Sequence, residues 1–233
     1  MTDPASGFFV INKPSGITSF TVVRNIKRVM QVKRVGHCGT LDPLATGVLV
    51  VVFGTATRRQ ADFMAMPKTY RAVVRLGTKT DSGDITGAVT ATADTAHLSF
   101  DAIRAVAARF VGDIEQIPPM YSALKWGGRR LYDLAREGRT VERAPRSVHI
   151  SAIDCVRFED PLVEIVVDCS RGTYIRTLAE DIGAALGCGG TIEKLCREKI
   201  GIYSITNALD GATINTLSRE ELCTHAQPIE GCQ

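Results

Sequence analysis

The sequence predicts an α+β fold, and three patterns predict it. Residues 68–76 alternate apolar and polar side chains with the period of two that marks a strand. Two further alternating runs, at 148–155 and 163–169, are close enough in sequence to pair as an antiparallel hairpin. Two helices are indicated by apolar residues at intervals of three or four: Val22, Ile26 and Val29, then Ile175, Leu178, Ile182 and Leu186.

The N-terminal elements follow from turn and cap signals. Residues 8–11 predict a short strand, and a Pro-Ser-Gly turn follows it. Ser19 is a good N-cap for a helix over about residues 20–31. Residues 77–87, rich in Gly, Asp and Thr, predict a loop. Further helices are expected at about 56–65, 99–111 and 218–223.

The second half of the chain adds three expectations. Two consecutive prolines exclude a regular element from residues 114–121. A bulge near Ala152 would keep the apolar residues of the first hairpin strand on one face. Thr173 is a suitable cap for the helix that follows it.

Composition indicates a soluble globular protein. With 233 residues, 45% of them hydrophobic and 23% charged, the chain can form one core or one domain with a small appendage. No apolar run approaches the roughly 20 residues of a membrane helix, and no secretion signal opens the chain. We therefore expect a cytoplasmic protein. Seven irregularly spaced cysteines without a Cys-x-x-Cys pair predict neither disulfides nor a zinc site, although Cys38 is a candidate reactive thiol.

Positive charge is concentrated in two regions. Residues 1–41 contain six bases and one acid, Asp3, a balance of +5. Residues 125–146 contain seven bases and three acids, a balance of +4. Residues 207–233 contain one base and four acids, a balance of −3. This distribution predicts either a polyanionic partner or solvated helix faces, and charge alone leaves both open.

Residues 36–49 hold the main candidate for chemistry. They read Gly-His-Cys-Gly-Thr-Leu-Asp-Pro-Leu-Ala-Thr-Gly-Val-Leu, and an apolar run follows at once. Glycines allow backbone angles that other residues resist, and Pro43 favours an extended backbone at Asp42. A carboxylate on such a loop can be a nucleophile or a general base. An ordinary Asp-Pro turn is the alternative.

This stretch closely resembles the signature of the TruB family of tRNA pseudouridine synthases, Gly-His-x-Gly-Thr-Leu-Asp-Pro-Leu-Ala-Thr-Gly-Val-Leu. A match of this length is far more specific than a lone glycine motif. The family's aspartate is the catalytic nucleophile, so the resemblance implies this role for Asp42. It also implies that His37 lies at the RNA, whereas a satisfied structural histidine is the alternative.

Two flanking motifs and one loop resemble the same family. Lys-Pro-x-Gly-x-Thr-Ser, beginning at Lys13, implies a place in the floor of the active site. Lys-x-Tyr implies a catalytic role for Tyr70, which would stack on the target base and move a proton, and a core tyrosine is the alternative. Thr-Asp-x-x-Asp ends at Asp84, which either holds an active-site arginine or caps its own turn.

The later motifs supply the remaining candidates. Residues 122–138 resemble the region of the family that grips RNA, and their bases fit phosphate contacts. Gly-Thr-Tyr-Ile-Arg-Thr implies that Tyr174 lines the nucleotide pocket and that Arg176 keeps the catalytic aspartate ionised. A surface pair of Arg176 with Glu180 is the alternative. In the last motif Leu195 is implied as an apolar wall against the base.

The resemblance also implies a fold, a reaction and partners. The fold is the pseudouridine synthase fold, a mixed, largely antiparallel central sheet flanked by helices. Residues 1–205 form the catalytic domain, and 206–233 a short C-terminal tail with no PUA domain. The reaction isomerises the TΨC-loop uridine of tRNA, position 55, to pseudouridine after the base has flipped out. We expect no cofactor, no metal, no membrane and no obligate protein partner, and a monomer.

Three alternatives remain at this point. The first is a pseudouridine synthase directed by a guide RNA, of the dyskerin type, which shares the aspartate motif. The second is an RNA-binding or tRNA-folding module in which chemistry is secondary. The third is an unrelated hydrolase with an aspartate nucleophile, which would leave the RNA-facing motifs unexplained.

Overall fold

The computed structural model describes residues 6–229. The strands, in chain order, are β1 (Gly7–Lys13), β2 (Val35–His37), β3 (Thr46–Phe53), β4 (Lys68–Leu76), β5 (Thr78–Thr80), β6 (Val89–Thr92), β7 (Gly112–Gln116), β8 (Lys125–Trp126), β9 (Arg129–Arg130), β10 (Arg146–Glu159), β11 (Leu162–Cys169), β12 (Gly190–Ile200), β13 (Tyr203–Ser204) and β14 (Leu209–Asp210). The α-helices are α1 (Ser19–Met30), α2 (Gln60–Ala65), α3 (Phe100–Ala108), α4 (Leu131–Arg136), α5 (Ile175–Ala185) and α6 (Arg219–Thr224).

The described residues divide into two compact units. The first comprises residues 6–69 and 196–229, and the second is Tyr70–Leu195. In the first unit the strand order is β14–β1–β3–β12, with β2 beside β3 and β13 beside β12. β1 runs antiparallel to β3, whereas β14 and β12 join their neighbours in parallel. The apolar run of β3 is buried from Val48 through Phe53, as its sequence predicts.

The second unit has the strand order β12–β4–β11–β10–β7. β10 and β11 form the predicted antiparallel hairpin, and their register shifts between Ile150 and Ala152, where the bulge was expected. β4 buries Ala72, Val74 and Leu76 on one face, as the alternation predicts. The prediction of an α+β fold with a mixed, largely antiparallel sheet is therefore confirmed.

Both predicted helix caps lie one residue away from the observed ones. Thr18 caps α1, because its Oγ1 accepts from the backbone N–H of Thr21 at 3.1 Å. Tyr174 occupies the N-cap position of α5 without a side-chain cap bond. The Thr173 hydroxyl instead donates to the carbonyl oxygen of Ser170. Ser19 is the first residue of α1 and is buried, which frees its hydroxyl for the contact described below.

Several predicted boundaries also need correction. The expected loop at 77–87 begins with β5, which pairs with β6. The segment 114–121, expected to hold no regular element, contains the last three residues of β7. That strand stops at Gln116, before the two prolines. The helix expected at 56–65 is a 3₁₀ helix, Gly54–Arg59, followed by α2.

The C-terminal segment is built into the first unit. β14 pairs with β1, with Ile11 opposite Leu209. α6 begins at a complete capping box formed by Ser218 and Glu221, close to the helix expected at 218–223. α6 packs on α1. Within the described residues, no helix has the length and apolar character needed to cross a membrane.

Candidate active site

Asp42 lies partly exposed on the loop between β2 and β3. The turn after β1 holds this loop through two hydrogen bonds to its carbonyl oxygens. The Gly16 N–H donates to the Pro43 carbonyl oxygen at 2.8 Å, and the Ser15 hydroxyl donates to that of Leu44 at 3.0 Å. The loop is thus fixed to a neighbouring turn on the C-terminal side of Asp42.

Ser19 fixes the other side of the same loop. Its hydroxyl donates to the carbonyl oxygen of Leu41 at 3.1 Å, and the N–H of Leu41 donates to it at 2.9 Å. Both backbone groups of the residue before Asp42 are therefore satisfied by one buried side chain at the start of α1.

Lys13 holds the loop through its buried ammonium group. Its side chain is fully buried, and Nζ donates to the carbonyl oxygens of Pro14 and Ile17 at 2.8 Å each and of Pro43 at 3.4 Å. Burial lowers the pKa of Lys13 to about 8, while the carboxylate of Asp42 raises it. The substrate-binding role expected for Lys13 needs an ammonium that reaches the surface, and this one is enclosed by backbone. Its contacts are those of a positioning residue.

Arg197 is the buried residue that sequence reasoning missed. Only 2% exposed, it donates from Nε to the Val48 carbonyl oxygen at 2.8 Å and from Nη2 to that of Gly39 at 3.0 Å. The guanidinium therefore bridges the two ends of the Asp42 loop. Its backbone lies so close to Gly47 that a Cβ there would sit 2.2 Å from the Arg197 oxygen, which explains the last glycine of the motif.

His37 and Cys38 precede the loop. Burial, together with the charge of Arg197, lowers the pKa of His37, so the neutral imidazole is favoured. Among the described residues its Nδ1 finds no hydrogen-bond partner, which is not the arrangement of a satisfied structural histidine. Burial raises the pKa of the Cys38 thiol to about 12, so Cys38 is not a reactive thiol.

Arg176 lies in the second unit, in the first turn of α5. It is 5% exposed, and it donates from Nη1 to the Ser82 carbonyl oxygen at 2.6 Å and from Nη2 to that of Tyr121 at 2.5 Å. Arg176 is therefore buried rather than on the helix surface, and its charge acts on the carboxylate of Glu180. The pKa of Glu180 is raised by burial, against the opposing effect of Arg176.

Asp84 caps its own turn. Its carboxylate accepts from the Thr86 N–H at 3.0 Å, and from the hydroxyls of Thr86 and Ser82 at 2.5 and 3.1 Å. The carbonyl oxygen of Ser82 accepts a hydrogen bond from Arg176. By fixing the turn that contains Ser82, Asp84 therefore also positions the arginine. The sequence offered these two roles as alternatives, and the geometry combines them.

The other candidates of the second unit are partly exposed. Tyr70 is on the face of β4 that carries the buried residues Ala72 and Val74, but its own side chain remains accessible. The backbone of Tyr174 is held in both directions by the side-chain amide of Gln116, at 2.9 and 3.2 Å. Leu195 lies in β12. Across residues 6–229, no group of three or more His, Cys, Asp or Glu side chains is arranged to hold a metal ion.

Comparison with known proteins decides the family. Residues 27–175 match the family described as TruB family pseudouridylate synthase, N-terminal domain. The chain belongs to the TruB family. Residues 176–231 match the C-terminal domain of tRNA pseudouridylate synthase B.

Two curated relatives of this TruB-family chain carry the name tRNA pseudouridine synthase B. That of Endomicrobium trichonymphae is 47% identical over 87% of this chain and 88% of its own length. That of Dechloromonas aromatica (strain RCB) is 47% identical over 96% of this chain and 75% of its own length. Among solved structures, a chain of a Cbf5-Nop10-Gar1 complex is 28% identical with a TM-score of 0.73, and the match covers 95% of this chain and 60% of that one.

Proposed function

We propose that this TruB-family chain is a tRNA pseudouridine synthase that converts the uridine at position 55, in the TΨC loop, to pseudouridine. The observation that carries the proposal is the Asp42 loop. It presents a partly exposed carboxylate on a backbone fixed by the buried side chains of Lys13, Ser19 and Arg197. A rigid loop of this kind holds a nucleophile in one geometry without a cost at the moment of reaction.

The reaction is an isomerisation. The bond between uracil N1 and ribose C1′ breaks, the base turns, and C5 bonds to C1′. N1 gains a proton and C5 loses one, so no electrons are gained or lost overall. The uridine must first leave its stack, which costs a few kcal/mol, and Asp42 is the proposed nucleophile.

The remaining roles are proposals that rest on the family resemblance. Arg176 favours the ionised form of the catalytic carboxylate. Tyr70 stacks on the flipped base, while Leu195 and Tyr174 line its pocket. His37, whose side chain is half-buried, contacts the RNA.

The setting of the enzyme is part of the same proposal. We expect it to act in the cytoplasm as a monomer, without a protein partner, a guide RNA, a metal or a cofactor. A protein partner, a guide RNA, a metal and a cofactor can all be withheld in one reaction, so a single assay tests these four expectations together.

That assay uses the full chain and an unmodified tRNA transcript in buffer with a chelator. Pseudouridine is then mapped at single-nucleotide resolution. The proposal predicts product at the TΨC-loop uridine alone. Tight tRNA binding without any product would favour the RNA-binding module, and activity only after a guide RNA is added would favour the guide-directed class.

A further inference from the structure

One exposed face of α1 carries a continuous line of positive charge. Phe20, Arg24, Lys27 and Arg28, which we call the α1 stripe, are all exposed and follow the helical spacing of three and four residues. The opposite face carries the buried residues of the helix: Ser19, Val22, Val23, Ile26 and Met30. The stripe therefore points to solvent because the apolar face fixes the rotation of the helix.

Among the described residues, no carboxylate forms an ion pair with the stripe. Residues 6–41 contain no acid at all. Within the described part of the chain, Arg24 and Lys27 have no ion pair, and Arg28 bonds only the neutral side-chain oxygen of Asn215, at 2.7 Å. Lys33 and Arg34, just after the helix, are also exposed.

Some arginines elsewhere in the protein do have acidic partners. Such pairs join Arg71 with Glu164, Arg75 with Glu193, and Arg129 with Glu137. Arg129, in the last of these pairs, lies on β9 in the second basic region. Because no described carboxylate is ion-paired with it, the stripe can bind an external anion without first breaking an internal ion pair.

The stripe begins at the candidate active site. Ser19, the residue before Phe20, is the one that holds Leu41 next to Asp42. Phe20 itself is 69% exposed, an unusual position for a large aromatic ring unless it serves as a contact surface. From Phe20 to Met30 the helix extends about 15 Å away from that end.

We propose that the α1 stripe is an RNA-docking surface. Its basic side chains, Arg24, Lys27 and Arg28, bind the phosphates that flank the target nucleotide, and Phe20 stacks on an unpaired nucleobase. This inference rests on the proposed function, and it assigns a second contact region besides residues 122–138. Phosphate contacts position an RNA without reading its sequence, so the stripe serves affinity rather than the chemical step. An aromatic ring near the Asp42 loop, followed by basic side chains along the helix, is the arrangement that binds a single RNA strand leaving the site.

The test compares two double charge reversals of equal size. In Arg24→Glu/Lys27→Glu both changes lie on the stripe, at side chains without ion-pair partners. In Arg58→Glu/Lys199→Glu both lie on exposed positions of the first unit outside α1. Equal net charge separates a local contact from the general field of the protein.

RNA affinity is measured against salt concentration, and kcat and KM for pseudouridine formation are measured on the same tRNA transcript. The stripe variant is expected to raise Kd and KM about tenfold or more and to reduce the slope of log K against log salt by about two, with kcat within about twofold. The control should change Kd by less than about threefold. Phe20→Ala should weaken binding roughly fivefold with an unchanged salt slope, because stacking releases no counterions.

Equal losses in the two double variants, or no loss in the stripe variant, would overturn the inference. Binding to phosphatidylserine vesicles that exceeds binding to tRNA and vanishes in the stripe variant would assign the surface to a membrane instead. The binding titration needs no turnover, so an enzyme that makes no pseudouridine refutes the proposed function and still leaves the stripe to be judged.

Discussion

Nε of Arg197 donates a hydrogen bond to the carbonyl oxygen of Val48 at 2.8 Å, although 149 residues separate the two in sequence. The same guanidinium reaches Gly39 on the other side of Asp42. One buried cation therefore sets the width of the loop that carries the proposed nucleophile, and it does so through charge-assisted hydrogen bonds to two backbone oxygens.

Arg197→Met should be strongly destabilising. It leaves the buried carbonyl oxygen of Val48 and the half-buried one of Gly39 without their charged donor, and each such bond contributes about 1.5–3 kcal/mol. We expect the free energy of unfolding in urea to fall by about 3–5 kcal/mol. Arg197→Lys, which keeps the charge and can reach one carbonyl, should lose less. A loss below about 1 kcal/mol in Arg197→Met would show that the bridge does not support the loop.

Two glycines with similar backbone angles allow the cost of backbone strain to be distinguished from the cost of a steric clash with an added Cβ. Gly47 has φ +102 and would place a Cβ against the Arg197 backbone, whereas Gly112 has φ +108 and open space around the same position. Gly112→Ala should cost about 1–3 kcal/mol from backbone strain alone. Gly47→Ala should cost at least about 2 kcal/mol more. Equal costs in urea unfolding would contradict the close packing of β3 on β12.

Ser19 and Thr18 provide a matched pair at the start of α1. Thr18→Ala removes a helix cap and should cost about 0.5–2 kcal/mol of stability with little effect on kcat. Ser19→Ala removes both bonds to Leu41, next to Asp42, and should lower kcat about tenfold or more because a loosened nucleophile loses its orientation. If both variants keep wild-type kcat on tRNA, Ser19 has only a packing role.

His37 should make the protein less stable in acid. Its pKa is lowered in the folded state, so the unfolded chain binds the proton more readily and gains stability as the pH falls below about 6.5. Between pH 7.5 and 5.5, the wild type should lose more unfolding free energy than His37→Gln, by no more than about 1.4 kcal/mol. Urea titrations at the two pH values measure this difference, and parallel losses would refute it.

Local patterns predicted the regular parts of this fold. The hairpin of β10 and β11, with its bulge near Ala152, follows from alternation along two neighbouring runs, since cross-strand partners there are close in sequence. The first residues of the helices were harder to predict from the sequence. Ser19 and Thr18 are equally good caps, and the choice depends on Leu41, which only the tertiary structure brings to Ser19.

The candidate site also contains residues that the sequence predicts and residues that it does not. Asp42 and its loop could be found from an unbroken motif. Arg197 could not, because a charged residue in a strand carries no sign that it will be buried, and its partners become neighbours only when β12 pairs with β3. Lys13 was found but given a substrate contact, since its motif does not reveal that three carbonyl oxygens enclose the ammonium.

The most direct test compares wild type with Asp42→Asn, which keeps the size of the side chain and removes its charge. Both proteins are incubated with an unmodified tRNA transcript, and pseudouridine at the TΨC-loop uridine is quantified beside tRNA affinity. The account predicts no product with Asp42→Asn and a Kd within about threefold of wild type, because phosphate contacts dominate binding. Product formation at a rate near that of the wild type would contradict the assignment of Asp42 as the nucleophile.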